Sequence, residues 1–255
     1  MKYTLPLLAL LCLSCLPQAG AAAELTVSRT DVIAPDSALR ATALAVRDRA
    51  APARKKNIGP VEEFFAPKVK VFTRSLDPFQ PWNRLDDLGG KYLAGAADVM
   101  VEQGELEAGM PVPDYRIEAM RQIAALIGEE PIFGALPDAP GEACVPAAYE
   151  VDRKAALTFA RKFELDAYSL RFFAGDVFLA DRPESRRGHS VPANTLVMFD
   201  YDPKAPEGWG YYETAGGLKG YMKDRDDKLG LAQNHVCFAK VKGKYRITSV
   251  FGYGL

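Results

Sequence analysis

The side chains best suited to chemistry are few: His189, His235, Cys144, Cys237, and three adjacent acid pairs, Asp86-Asp87, Glu129-Glu130 and Asp226-Asp227. His235 and Cys237 stand two residues apart and would share one face of a strand, a pairing with the right types for zinc. A structural zinc site takes four ligands, however, and the sequence has no Cys-x-x-Cys and no second His-rich cluster to complete the set. His189 lies in a charged turn and reads as exposed. The acid pairs have the chemistry of a glycosidase, but that reaction needs two carboxyls set several ångströms apart across a cleft, and adjacent acids are ordinarily solvated. Gly-x-Ser-x-Gly, Walker and His-Glu-x-x-His motifs are absent. The sequence therefore assigns no catalytic residue, no metal and no cofactor.

The next question is the compartment in which these groups work. Met1-Lys2 is a short positive start, Leu5 to Leu16 an apolar run, and "PQAGAAAE" supplies the small residues read by a signal peptidase. An apolar length near a dozen fits export and falls short of the roughly 20 residues that span a bilayer. Residues 1–23 are read as a signal peptide cleaved after Ala23, with Ala21 as the other candidate. Cys15 after Ser14 offers an alternative, lipid attachment, although Cys12 stands where such motifs usually carry Leu. Removing residues 1–23 takes Lys2 and no acid, leaving 31 basic and 33 acidic residues and a formal charge of −2. So nearly neutral a surface gives no long-range attraction for nucleic acid. With Cys12 and Cys15 removed, Cys144 and Cys237 remain as an even pair in an exported chain. They are expected to form one disulfide, which would leave no free thiol. The resulting expectation is a periplasmic or secreted protein with no transmembrane span.

Elements that would position these groups can be read in order. Ala34–Ala51 has helical spacing, with Asp36 or Ser37 as N-cap and Leu39, Ala43, Val46 and Ala50 on one apolar face. "VEEFFAPKVKVFTRS" gives a helical turn and then a strand with Val69, Val71 and Thr73 on one side. Asp86–Val101 and Asp114–Ile127 read as two further helices. The Pro- and Gly-rich stretch 131–146 reads as a linker. After it comes a helix capped by Asp152, with Ala156, Phe159, Ala160 and Phe163 inward. Short strands follow near 169–173, 177–180, 195–201, 210–214, 217–223, 236–241 and 245–251.

Within this β half, "YSLRFFAGD", "GHSVPANTLVMFDYD" and "GWGYYETAGGLKGYMKD" resemble the bacterial Src-homology-3-like barrel over residues 168–224. Ser169–Phe172 resembles that family's opening strand and Pro192–Val197 its Pro-x-Gly-Thr-x-Val turn, with Asn194 in the glycine position. Gly208-Trp209 and Gly217–Met222 resemble its later strands. "GKYRI", 243–247, resembles the terminal hairpin of the nuclear-transport-factor-like cone fold, which is held as the alternative architecture. The expected fold is α+β, with a signal peptide (1–23) and a mainly helical N-terminal domain (24–140). Residues 141–255 would form a small Src-homology-3-like β-barrel with a disulfide-tied C-terminal hairpin. Gly216-Gly217 is expected to turn a hairpin, and Gly220 to allow close backbone approach at a barrel corner.

The resemblance implies a class of function. Similar modules bind peptidoglycan stem peptides or protein partners through surface aromatics, which nominates Tyr168, Trp209, Tyr212 and Tyr221 as ligand contacts. Such modules also accompany cell-wall cysteine peptidases, but "EACVPAAY" around Cys144 lacks their Asp-Cys-Ser/Thr-Gly setting. The expected function is an exported, non-enzymatic binding protein of the bacterial envelope whose partner is a peptidoglycan fragment or an envelope protein. The competing reading is a cell-wall hydrolase using carboxylates of the N-terminal half.

Overall fold

The computed structural model describes residues 23–29, 31–50, 63–74, 77–85, 112–200, 202–224, 228–231 and 233–253. Most of the stretch read as a signal peptide (with Cys15), the helix expected over Asp86–Val101 and the Asp226-Asp227 pair lie outside these residues.

The described residues build three sheets and three α-helices. The smallest sheet pairs β1 (Ser28–Arg29) with β7 (Tyr149–Glu150). A seven-stranded sheet runs in the order β2 (Val32–Ile33), β5 (Phe133–Gly134), β6 (Ala143–Val145), β15 (His235–Val241), β16 (Lys244–Tyr253), β3 (Phe65–Arg74), β4 (Asn83–Leu85). Its pairs are antiparallel except β16 with β3, which run parallel, Val250 beside Val71 and Phe251 beside Phe72. The Pro- and Gly-rich stretch read as a linker is thus built into this sheet as β5 and β6.

Helices α1 (Ser37–Ala50) and α2 (Val112–Ile127) pack on that sheet. Of the two N-cap candidates it is Asp36 that caps α1, its Oδ1 accepting the Leu39 N–H at 2.7 Å. Leu39, Ala43, Val46 and Ala50 are the residues α1 buries. They join Met120, Ile123 and Ile127 of α2 over Val69, Val71, Phe238 and Ile247 of the sheet. Each large apolar side chain buried there contributes about 1.5–3 kcal/mol.

The second seven-stranded sheet has the order β10 (Gly188–Val191), β9 (Val177–Ala180), β13 (Lys219–Lys223), β12 (Trp209–Thr214), β11 (Val197–Asp200), β8 (Leu170–Phe173), β14 (Lys228–Gly230). One face collects Phe173, Val177, Leu179, Val191, Val197, Tyr212 and Met222. Part of the opposite face, with Leu170, Phe172 and Met198, is covered by α3 (Arg153–Arg161) through Ala156, Phe159 and Ala160. Asp152 caps α3, accepting the Ala155 N–H at 2.9 Å. The C-terminal end of α3 is tied down by Lys162, which with Lys219 pairs the buried Glu213 of β12.

Two expectations are corrected. Among the described residues the N-terminal half is not a mainly helical domain, because it supplies β1 to β5 beside two helices. Nor do the described residues form a small Src-homology-3-like barrel: β8 to β14 form an open sheet, with β10 and β14 at opposite ends of the hydrogen-bonded order. The C-terminal hairpin belongs to the other sheet, between β6 and β3. The physical reason is that turn motifs fix individual hairpins, while closure depends on stagger between strands distant in sequence.

The local signals themselves held. Lys242-Gly243 turns β15 into β16, with Val241 opposite Lys244. Asn194 adopts φ 61°, the left-handed region that Asn tolerates. Gly220 sits where a Cβ would lie 2.5 Å from the Ala180 carbonyl oxygen. The β12–β13 turn is one residue longer than a Gly-Gly turn. Thr214 N–H donates to Leu218 O at 2.8 Å, Gly217 N–H donates to Thr214 O at 3.0 Å, and Gly217 takes φ +89°.

The sulfurs of Cys144 and Cys237 are bonded, closing a sequence separation of 93. The two residues face each other across β6 and β15. No helix among the described residues is long and apolar enough to cross a membrane.

Candidate functional site

Strand alternation divides the aromatics of "GWGYYETAGGLKGYMKD" between two faces, and packing decides which face meets solvent. Gly210 pairs with Met222 and Tyr212 with Gly220, which places Tyr212 on the face that forms the core. Tyr212 is 0% exposed, so this nominated contact residue is a packing residue. Its hydroxyl has no hydrogen-bond partner among the described residues, and burial pushes its pKa up to about 12. Trp209 and Tyr221 lie on the opposite face and are half-buried. Tyr168 falls in a short 3₁₀ turn, Ala167–Ser169, and its side chain is not among those described.

The face holding Trp209 and Tyr221 carries more than those two residues. Tyr211 stands opposite Tyr221 with ring centroids 4.9 Å apart, and sequence reasoning did not single it out. Phe178 of β9 belongs to the same face, because its neighbour but one, Ala180, pairs with Tyr221; it is 43% exposed. Asp200 lies opposite Tyr211. The Tyr221 hydroxyl donates to Asp202, which lowers the Asp202 carboxyl below its ordinary range and raises the phenol above its own. Here α3 no longer supplies the covering layer, so a group of rings, with Lys223 opposite Trp209 and with Asp200 and Asp202 beside the tyrosines, is left partly exposed. Rings of this kind give large contact area at small conformational cost, and the carboxylates accept N–H and O–H donors.

A second concavity lies at the end of the first sheet. It is a cleft of about 230 Å³ whose walls include Arg74 at the end of β3, Trp82, Asp138, Tyr149, Gln233 and His235 at the start of β15. Asp31 and Glu150 also line it and are exposed. The Arg74 guanidinium lies 4.0 Å above the Trp82 ring and donates to Gln80 O at 3.1 Å. Burial lowers its pKa to about 10, against the opposing pull of Asp138 and Asp77.

His235 is 3% exposed and packs edge-on between Trp82 and Phe251, with Nδ1 2.8 Å from Pro146 O. A carbonyl only accepts, so Nδ1 carries the proton and Nε2 keeps its lone pair. Burial depresses the His235 pKa to about 4, so the ring is neutral near pH 7. The zinc reading of His235 with Cys237 does not apply here, because Cys237 is in the disulfide. Gln233 Oε1 is buried without a hydrogen-bond partner among the described residues.

Sequence reasoning missed this cleft because Arg74, Trp82, Asp138 and Gln233 come from four separate segments. The one available signal is the Pro- and aromatic-rich stretch "LDPFQPWN", 76–83, which carries Trp82. As for the carboxylates considered for hydrolysis, Glu129 and Glu130 are both exposed just beyond α2. His189 is exposed in β10. No family model matches the chain, and no curated protein or solved structure matches it.

Proposed function

We propose that this is an exported, non-enzymatic binding protein of the bacterial envelope, acting in the periplasm or outside the cell, and that it holds a peptidoglycan fragment on the aromatic face of its second sheet. The observation that carries the reading is the row Phe178, Tyr221, Tyr211 and Trp209, partly exposed on one face beside Asp200 and Asp202. Side chains that served only the core would be buried as Tyr212 is. Ring faces suit the apolar faces of a sugar or peptide, and the flanking carboxylates suit its amide and hydroxyl donors. The disulfide and the export-type leader support the compartment.

Purified mature protein should pull down insoluble peptidoglycan and bind soluble muropeptides. Trp209→Ala and Tyr221→Ala should each weaken that binding about tenfold or more, as interface aromatics do. Retained affinity in both variants would remove the aromatic face from the account. Clearing of cell-wall substrate in a zymogram would replace a binding protein with a hydrolase.

A further inference from the structure

We propose that the cleft between Trp82, Gln233 and His235 is a second ligand site, independent of the aromatic face, and that it takes a small organic ammonium group. The cleft combines several acceptors with one donor-rich side chain that already has partners. Gln233 Oε1 is buried with no donor among the described residues. His235 spends its ring proton on Pro146 O, which leaves Nε2 as an acceptor in the same wall. The carboxylates of Asp31, Asp138 and Glu150 line the mouth.

Against these stands Arg74, whose guanidinium lies 4.0 Å from the Trp82 ring centroid and donates to Gln80 O. Three carboxylates against one guanidinium give the cleft a net negative charge, with the imidazole neutral. A buried acceptor without a donor is costly, and an ammonium offers three N–H donors and the compensating charge. A carboxylate ligand would meet Arg74 but would add a fourth negative charge and leave both neutral acceptors unsatisfied. The cavity, about 230 Å³, holds a short alkylammonium or the amino end of a larger molecule.

The probe is n-butylammonium chloride, compared with 1-butanol and sodium butyrate, and the reporter is the indole N–H resonance of Trp82 in the intact mature chain. The sequence has two tryptophans, so Trp209→Phe assigns the signal. We expect butylammonium to shift the Trp82 resonance saturably in the range of about 1–10 mM, with butanol and butyrate leaving it in place. Gln233→Met and Asp138→Asn should each weaken binding about tenfold or more, and Gln233→Glu, which adds a carboxylate to the cleft wall, should tighten it.

A native spectrum with no saturable shift of Trp82 would overturn the assignment. So would saturation by butyrate, which would make the cleft an anion site on Arg74, or amine binding indifferent to both weakening variants. Muropeptide binding to the aromatic face is measured separately, so the two readings fail independently.

Discussion

Replacing Cys144 and Cys237 together by alanine tests the largest single constraint on this fold. Both residues are fully buried and directly opposite on β6 and β15, where two further residue pairs, Val236 with Val145 and Phe238 with Ala143, remain to hold the strands together. The native topology should therefore survive, and the loss should appear in the unfolded chain. With a separation of 93, the loop-closure entropy removed by the bond corresponds to about 4–5 kcal/mol. For a chain of this size each kcal/mol moves Tm by about 2–4 °C, so the midpoint should fall by roughly 10–15 °C. Urea unfolding followed by circular dichroism gives the second reading. The free energy extrapolated to water should drop by about 4 kcal/mol, and the slope m should rise because the uncrosslinked unfolded chain exposes more surface. A loss under about 1 kcal/mol with unchanged m would refute the reasoning, because the bond would then not be restricting the unfolded ensemble.

Further outcomes follow from single sites. His235 has a folded pKa of about 4 against about 6.5 when unfolded, so the unfolded chain binds more protons between these values. Its contribution is fully present above pH 6.5 and is lost as the pH falls towards 4, by about 3 kcal/mol in all. His235→Gln should flatten that part of the stability profile, and an NMR titration of His235 with a midpoint above 6 would contradict the account. Gly220→Ala places a methyl 2.5 Å from Ala180 O and should cost about 1–3 kcal/mol in urea unfolding, whereas a neutral effect would show that β9 and β13 separate freely. At the left-handed Asn194, Asn194→Gly should be tolerated and Asn194→Val should cost about 1–2 kcal/mol; equal stabilities would argue against φ 61° there.

Local structure was largely legible in the sequence. The apolar face of α1 and its Asp36 cap follow from 3.6-residue spacing and side-chain chemistry, and so does the Asp152 cap of α3. Disulfide pairing followed from counting cysteines once those of the stretch read as a signal peptide were set aside. Strand partners were not legible, because β16 lies between β15 and a β3 formed far upstream, and nothing in either segment names the other. Familiar turn residues around Asn194 and Gly217 were correct as turns and misleading as evidence of a closed barrel. Alternation separated Tyr211 from Tyr212 but not core from solvent, since that choice depends on what packs against each face. Trp82 and Gln233 are ordinary residues alone and become notable only when the sheet end sets them beside His235.

The parallel pairing of β3 with β16 also bears on the order in which this chain can mature. Val71 waits for Val250 and Phe72 for Phe251, so the first sheet cannot be completed before the chain has been made through these residues, about 180 positions after β3. Contacts that span so much chain fold slowly and leave apolar strands such as β3 uncovered meanwhile. Strand β3 therefore stays without its β16 neighbour, and the first sheet stays open at that seam, until β16 itself has been made.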